Sequence, residues 1–452
     1  MPVTAWKFPG FVLLAIGLII SGPTNMFSQT SIREEIESRV GNEYRTLFEL
    51  YRHLHSNPEL SFHEVKTTER MQQELRNAGF EVTGNVGGHG FVGLFRNGTG
   101  PTVMIRTDLD ALPVTEQTGL EYASRVRTKD DQGNEVGVMH ACGHDIHMTS
   151  FVGTARLLSQ LKSKWQGTLV MIGQPAEERG SGAKAMLAAG LFQKFPKPDA
   201  VLALHDDATL EAGKVGVAEG PALAGTASLD LKIRGVSGHG AWSYTAKDPI
   251  VLAAQTVLGL QTIVSREMRA IDPAVVTVGS IHGGTKHNII PDEVQLQLTI
   301  RFFSDAIRSQ LLESIERIAK GMAQAAGVPP GREPILKVRE DESIGPTVNT
   351  PDLTRRVQRA LEGAMGKDSV LAMEPVMGGE DFGYFGRTSE KIPICIFWLG
   401  AVGKERIAES RRAGGKPLPS LHSSIYAPLP EPAIKTGVKA MTAAALDLLG
   451  RR

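Results

Sequence analysis

Cysteine is nearly missing from this chain: Cys142 and Cys395 are the two among 452 residues. No disulfide framework can hold such a fold, so stability must come from buried apolar surface. From the count alone, one disulfide between the pair is the expectation in an oxidising compartment. Net charge is missing too, since 49 Lys and Arg balance 49 Asp and Glu. That balance excludes a partner chosen by bulk charge, such as nucleic acid or an anionic membrane surface, and favours small neutral or mildly charged substrates. Internal repeats and low-complexity tracts are absent, which excludes solenoid and fibrous architectures. Beyond the first thirty residues no apolar run approaches the length needed to cross a bilayer.

At 452 residues, 41% of them hydrophobic and 22% charged, the chain is an ordinary globular sequence too long for one core, and two domains are expected. Its start is different. Lys7 supplies a positive residue, Phe11 to Ile20 is apolar throughout apart from Gly17, and Ser21-Gly22-Pro23 breaks the run. Residues 1–28 are therefore expected to be a secretory signal with the cut near Ser28, and the protein to be periplasmic or secreted, with no stable membrane insertion once the signal is removed.

After the signal, Ile32, Ile36, Val40, Leu47, Leu50 and Leu54 mark an amphipathic helix ending near Asn57-Pro58. Short apolar runs (103–105, 169–172, 201–204) then alternate with helical stretches (147–161, 183–191), which predicts an α/β layer with a mostly parallel sheet. Between Ala227 and Val338 the pattern becomes strand (228–234), helix (249–268), strand (274–281), strand (294–302), helix (306–326), strand (335–338). This βαββαβ order predicts a ferredoxin-like α+β domain inserted into the larger one. The expected division is 31–224 and 341–452 for the main, metal-binding domain and 225–340 for the insertion. A helix at 351–365, a strand at 393–399 and a helix at 431–449 complete the main domain, and Lys404 to Pro419 is expected to be a long surface loop.

Four places in the main domain carry chemistry. Met139-His140-Ala141-Cys142-Gly143-His144-Asp145-Ile146-His147 packs donors suited to zinc or a similar divalent ion. Gln174-Pro175-Ala176-Glu177-Glu178 follows an apolar strand, where Pro175 ends the ladder and delivers two carboxylates to the strand's carboxyl end. One can hold a metal while the other moves a proton, as hydrolysis requires. His205 follows the apolar run 201–204, and His422 stands where the chain returns from the long loop. A fifth feature, Gly235-Val236-Ser237-Gly238-His239-Gly240-Ala241, lies in the insertion, where flexible backbone can bring a histidine near a ligand.

Taken in order, these residues resemble the aminoacylases, hippurate hydrolases and indole-acetyl-amino-acid hydrolases, an amidohydrolase branch of the co-catalytic metallopeptidases. The resemblance runs nearly end to end after the signal. It includes His55-Ser56-Asn57-Pro58-Glu59-Leu60, Arg106-Thr107-Asp108-Leu109-Asp110-Ala111-Leu112-Pro113, Asn288-Ile289-Ile290-Pro291 and Gly378-Gly379-Glu380-Asp381-Phe382. It implies two divalent ions, zinc or manganese, held by Cys142, His144, Glu178, His205 and His422, with Cys142 bridging them. It implies Glu177 as general base and proton donor, His239 as an oxyanion-stabilising histidine that reaches a neighbouring subunit, Asn288 and Arg301 as the grip on a substrate carboxylate, and Asp108 as a residue orienting a ligand. It implies further that the insertion serves as lid and dimerisation domain, and that the substrate is an N-acyl amino acid.

The chain departs from that family's pattern in Ser243, where proline is frequent, in Asp206-Asp207, where apolar or aromatic residues are common, and in Ser423, where asparagine is usual. These positions bear on the substrate more than on the metal. Three rival readings remain open: an exopeptidase (dipeptidase or carboxypeptidase) with the same metals, a Cys142 nucleophile paired with His144 or His147, and a non-catalytic exported metal- or solute-binding protein.

Overall fold

The structure, a computed structural model, describes residues 24–450. Residues 1–23 of the expected signal lie outside the described residues. Helices α1 (Thr24–Ser56) and α2 (Val65–Asn77) precede strands β1 (Glu81–Thr83), β2 (Phe91–Asn97) and β3 (Thr102–Asp108). Next are α3 (His144–Gln160), β4 (Gly167–Gln174), β5 (Ala200–Glu211) and β6 (Val215–Val217). The insertion holds β7 (Gly225–Arg234), α4 (Pro249–Thr262), β8 (Val275–Gly283), β9 (Glu293–Phe302), α5 (Asp305–Ala325) and β10 (Ile335–Ile344). After it come α6 (Pro351–Met365), β11 (Val370–Ala372), β12 (Ile394–Val402) and α7 (Pro430–Leu449).

One sheet has the order β1-β2-β4-β3-β5-β12-β6-β11. Its central strands β4, β3, β5 and β12 run parallel and are buried almost throughout, because both faces are covered. On β3, Val103 and Ile105 face a core shared with Leu47 and Leu50 of α1, Val152 of α3 and Ile434 of α7. Met104, between them, faces the opposite core with Val201 and Phe382, as the two-residue period of a strand demands. Helix α3 is buried nearly all round, which places its N-terminus inside the molecule beside the carboxyl ends of β3 and β4.

The second sheet, in the order β8-β9-β7-β10, is antiparallel throughout. Strand β7 alternates buried and half-buried positions along its length. Its Leu229, Leu231 and Ile233 pack with Leu296, Ile300, Leu260 and Leu311 in a core of their own. The chain leaves the larger body through Gly220–Leu223 and returns through Thr347–Asn349, and these two segments pair antiparallel.

Several local expectations need correction. No disulfide forms: Cys142 and Cys395 are both free and buried. The helix expected at 183–191 is two short helices, Gly182–Ala188 and Leu191–Lys194, because Gly190 between them takes φ 90°, a value that ends a helix. Helix α4 stops at Thr262, and a π turn, Ile263–Glu267, completes the expected span. Lys404–Ser410 is a helix and only the rest of the expected loop is irregular. Strand β5 runs on to Glu211, so His205 lies within a strand rather than at its end. Pairing with β3 stops at Leu202 while pairing with β12 continues, which leaves the stretch around His205 open on one side.

Asn349 locks the return point. Its side chain donates to Ala218 O at 2.9 Å and Ile396 O at 2.8 Å and accepts from Ile396 N at 2.8 Å, fully buried. Asn349→Ala leaves these groups unpaired and is expected to cost about 2–4 kcal/mol in urea unfolding. A loss under about 0.5 kcal/mol would mean that other contacts carry the joint.

Candidate active site

Four segments converge above the carboxyl ends of β3, β4 and β5. Strand β3 ends at Asp108, with Asp110 two residues on. Cys142 and His144 flank Gly143, whose left-handed φ of 72° favours glycine at the start of α3. After β4, Ala176 takes the strained φ of 49°. Its N–H is held at 2.8 Å by the buried carboxylate of Glu64, which also accepts from Phe62 N at 2.9 Å. That turn aims Glu177 and Glu178 inward. His422, at φ 66°, is tied by its N–H to Ala141 O at 2.8 Å.

The side chains meet closely. Cys142 Sγ lies 3.5 Å from His205 Nε2. His144 Nε2 lies 3.8 Å from Glu178 Oε1, 3.9 Å from Glu177 Oε2 and 3.8 Å from Asp108 Oδ2. His422 Nε2 lies 3.6 Å from Glu178 Oε2 and, with a side chain 55% exposed, forms the open side of an otherwise buried cluster. Cys142 belongs to the compact donor group with His144 and His205 and also to the group with Glu178 and His422.

The hydrogen bonding fits this donor set to metal. His144 Nδ1 donates to Asp110 O and His205 Nδ1 to Asp206 O, each at 2.8 Å. Both imidazoles therefore present Nε2 to the cluster, the orientation that a carbonyl behind a ligating histidine enforces. His144 Nε2, Glu178 Oε1 and Asp110 Oδ1 are buried without any hydrogen-bond partner, a costly state that a cation resolves. Burial, then Glu178, Asp206 and Glu177, push the Cys142 thiol well above its usual range. Burial, then Glu380 and Glu178, push Glu177 well up, and burial carries Glu178 to about 7 although His144 opposes it. For His144, burial disfavours the charged ring, yet Asp108, Asp110 and Glu178 outweigh it and raise the pKa well above normal.

Behind it, Asp108 accepts from His147 Nδ1 at 2.9 Å and from Arg106 Nη1 at 2.8 Å. Arg106 is buried and also reaches Glu380 at 2.9 Å, Asp381 at 3.4 Å and Gln174 at 3.0 Å. The sequence had marked Arg106, Asp110, Glu380 and Asp381 only as motif members, and His147 only as a donor in the cluster or a partner for a nucleophilic Cys142. Glu64 and Tyr426 carried no local signal at all.

The insertion's candidates lie elsewhere. His239 is exposed, accepts from Ala241 N at 3.1 Å and lies against Trp242 with the rings tilted at 38° and centroids 4.9 Å apart. Exposed Asn288 sits beside it, its carbonyl accepting from Gly240 N at 2.9 Å. Half-buried Arg301 donates to Met377 O at 3.2 Å, next to the 378–382 loop. Among the described residues, none of the three hydrogen-bonds or ion-pairs with the Cys142 cluster.

Residues 104–413 match the sequence profile of peptidase family M20/M25/M40. The chain belongs to this family. It is a metal-dependent hydrolase acting on amide bonds, and its donor set supports two divalent ions. It is 35% identical over 368 residues to an N-acetylcysteine deacetylase of Bacillus subtilis (strain 168), covering 79% of this chain and 89% of that protein. It is 33% identical over 425 residues to IAA-amino acid hydrolase ILR1-like 4 of Arabidopsis thaliana, covering 93% and 90%. The fold matches the crystal structure of the Bacillus subtilis YXEP protein, a dinuclear metal binding peptidase from the M20 family, with a TM-score of 0.73 at 30% identity over 92% of this chain and 99% of that one.

Glu64 offers a test of the buried charge. Burial, then Asp110, lift its carboxyl from 4.5 to about 7 on folding. The native state then keeps a proton that the unfolded chain releases, so this residue's contribution to stability falls as pH rises from about 4.5 to about 7. Glu64→Gln removes that fall. Urea unfolding of chelator-treated protein should show the variant gaining on the wild type by up to about 3 kcal/mol across that window, whereas a pH-independent difference would mean that Glu64 stays ionised.

Proposed function

We propose that this M20-family protein hydrolyses the amide bond of N-acyl α-amino acids, releasing a carboxylic acid and the free amino acid, with two zinc or manganese ions held by Cys142, His144, Glu178, His205 and His422. The observation that carries the reading is Glu177. It is buried among the metal-holding side chains, 3.9 Å from His144 Nε2, yet its neighbour Glu178 is the carboxylate placed between His144 and His422. A protein that only stored metal has no use for it.

When bound, the ions supply the positive charge that lowers the proton affinity of a water and polarises the scissile carbonyl. Glu177 takes the proton from the attacking water and returns it to the leaving nitrogen. Burial and the neighbouring Glu380 and Glu178 raise the proton affinity of Glu177, the direction that strengthens a carboxylate as a base. Cys142 lies deep between the two donor groups with its thiol pKa raised, a poor state for a free nucleophile.

The carboxylate of the departing amino acid would meet Arg301 and Asn288. Arg301 has no acidic partner among the described residues and is partly desolvated, so its charge is available for an anion. His239 would stabilise the oxyanion from the insertion of a second subunit, since among the described residues its exposed ring neither hydrogen-bonds nor ion-pairs with the cluster of its own chain. Exposed Val251 and Leu258 on α4 and Ile281 on the edge strand β8 provide an apolar surface for such a homodimer. The Lys7 and Phe11–Ile20 pattern supports export to the periplasm or medium, and no helix among the described residues is long and apolar enough to cross a membrane.

Chelator-stripped protein, assayed with and without zinc or manganese, should release amino acid from N-acetyl and N-benzoyl substrates only when metal is restored. Cleavage of dipeptides alone would make it an exopeptidase. Glu177→Gln should retain metal and lose about 10²–10⁴-fold in kcat. Arg301→Ala should raise KM for carboxylate-bearing substrates about 10–100-fold and leave amidated ones alone; equal effects on both would remove Arg301 from this role.

A further inference from the structure

We propose that Asp206 is a positioning residue that fixes the spacing of the metal-holding segments, with the Tyr426 hydroxyl as its partner. The inference rests on the two-ion reading above. Asp206 occupies a place where the family resemblance calls for an apolar or aromatic residue, so whatever it does belongs to this chain rather than to the pattern it otherwise follows.

Asp206 is 1% exposed and touches every ligand-bearing segment but one. It follows His205 directly, and its main-chain oxygen accepts from that ring's Nδ1 at 2.8 Å while its carboxylate Oδ1 stands 3.4 Å from the same nitrogen. Its N–H donates to His147 Nε2 at 2.8 Å, with Oδ1 at 3.2 Å from that atom. Its carboxylate also lies against Gly143, between Cys142 and His144, where any side chain would run into it. Its second oxygen accepts from the hydroxyl of Tyr426, four residues after His422. The segment left out is Glu177-Glu178.

The geometry matters because His205 and His422 come from distant parts of the chain and must present their rings to one small volume. The Tyr426–Asp206 contact joins the His422 N–H to Ala141 O bond and the 3.6 Å approach of His422 Nε2 to Glu178 Oε2 in tying the last ligand's segment to the others. A bond from a buried hydroxyl to a carboxylate is strong and directional. An apolar residue at 206 would fill the space without fixing the direction.

The test uses the full chain, stripped with chelator and titrated with zinc against a chromophoric chelator, with thermal melting in parallel. Tyr426→Phe removes one oxygen and keeps the ring packed on Met139, Ala141 and Ala208. It should weaken zinc about 10–100-fold at one or both sites while the melting temperature moves by no more than a few degrees. Asp206→Asn, which still accepts from Tyr426, should lose less than Asp206→Leu. Adding Tyr426→Phe to Asp206→Leu should cost nothing more, since the tie is already gone. Tyr426→Phe and Asp206→Leu with wild-type zinc affinity overturn the proposal alone, even when they melt lower, because that is the mark of mere packing. Wild-type protein that binds neither zinc nor manganese overturns the two-ion reading along with it.

Discussion

A single buried cation organises the interior of this protein. Arg106, on β3, is enclosed by Asp108, Glu380 and Asp381, with Gln174 on its Nε. The guanidinium can serve three carboxylates because its donors spread in a plane and it does not lose its proton. Through it, β3 is bound to β4 and to the loop that follows the insertion. Asp381 in turn accepts from Gln174 and from Ala183 N at the head of a short helix. Removing one member leaves the others charged and unpaired in a medium of low polarity, so the set stands or falls as a unit.

Above this layer the balance reverses. Glu177, Glu178 and Asp206 crowd about Cys142, and burial together with neighbouring acids raises the Glu177 and Glu178 carboxyls. A dinuclear centre suits that surplus, since two divalent charges are what a thiolate, a carboxylate and three imidazoles can hold among such neighbours. Arg106 satisfies the carboxylates below, and the ions are left those that face the opening at His422.

The alternation of helix and strand, and the inserted βαββαβ unit, were legible in the sequence because they rest on local periodicity. The donor residues were visible in the sequence, Cys142 and His144 on either side of turn-forming Gly143 and Glu178 just after Pro175, and the structure groups them with His205 and His422. What escaped was set by distant parts of the chain. Strand β5 outruns its apolar stretch because β12 goes on pairing with it, so residues as polar as Asp206 and Asp207 are drawn into a strand. The helix break at Gly190 was a local signal overlooked. Glu64 looked like one acid among many on a helix entry, and nothing near it in sequence shows that it holds Ala176 in a left-handed turn. His239, Asn288 and Arg301 lie in the insertion, and among the described residues none of them hydrogen-bonds or ion-pairs with the cluster.

The pairing of Gly220–Leu223 with Thr347–Asn349 means that the insertion begins and ends at one spot, while Cys142, His144, Glu178, His205 and His422 all lie outside it. The larger body closes its sheet and both its cores without a single strand from the insert. Inheritance can therefore act on the two parts at different rates. A lineage can reshape the surface that meets a new compound while the metal-holding residues descend unaltered.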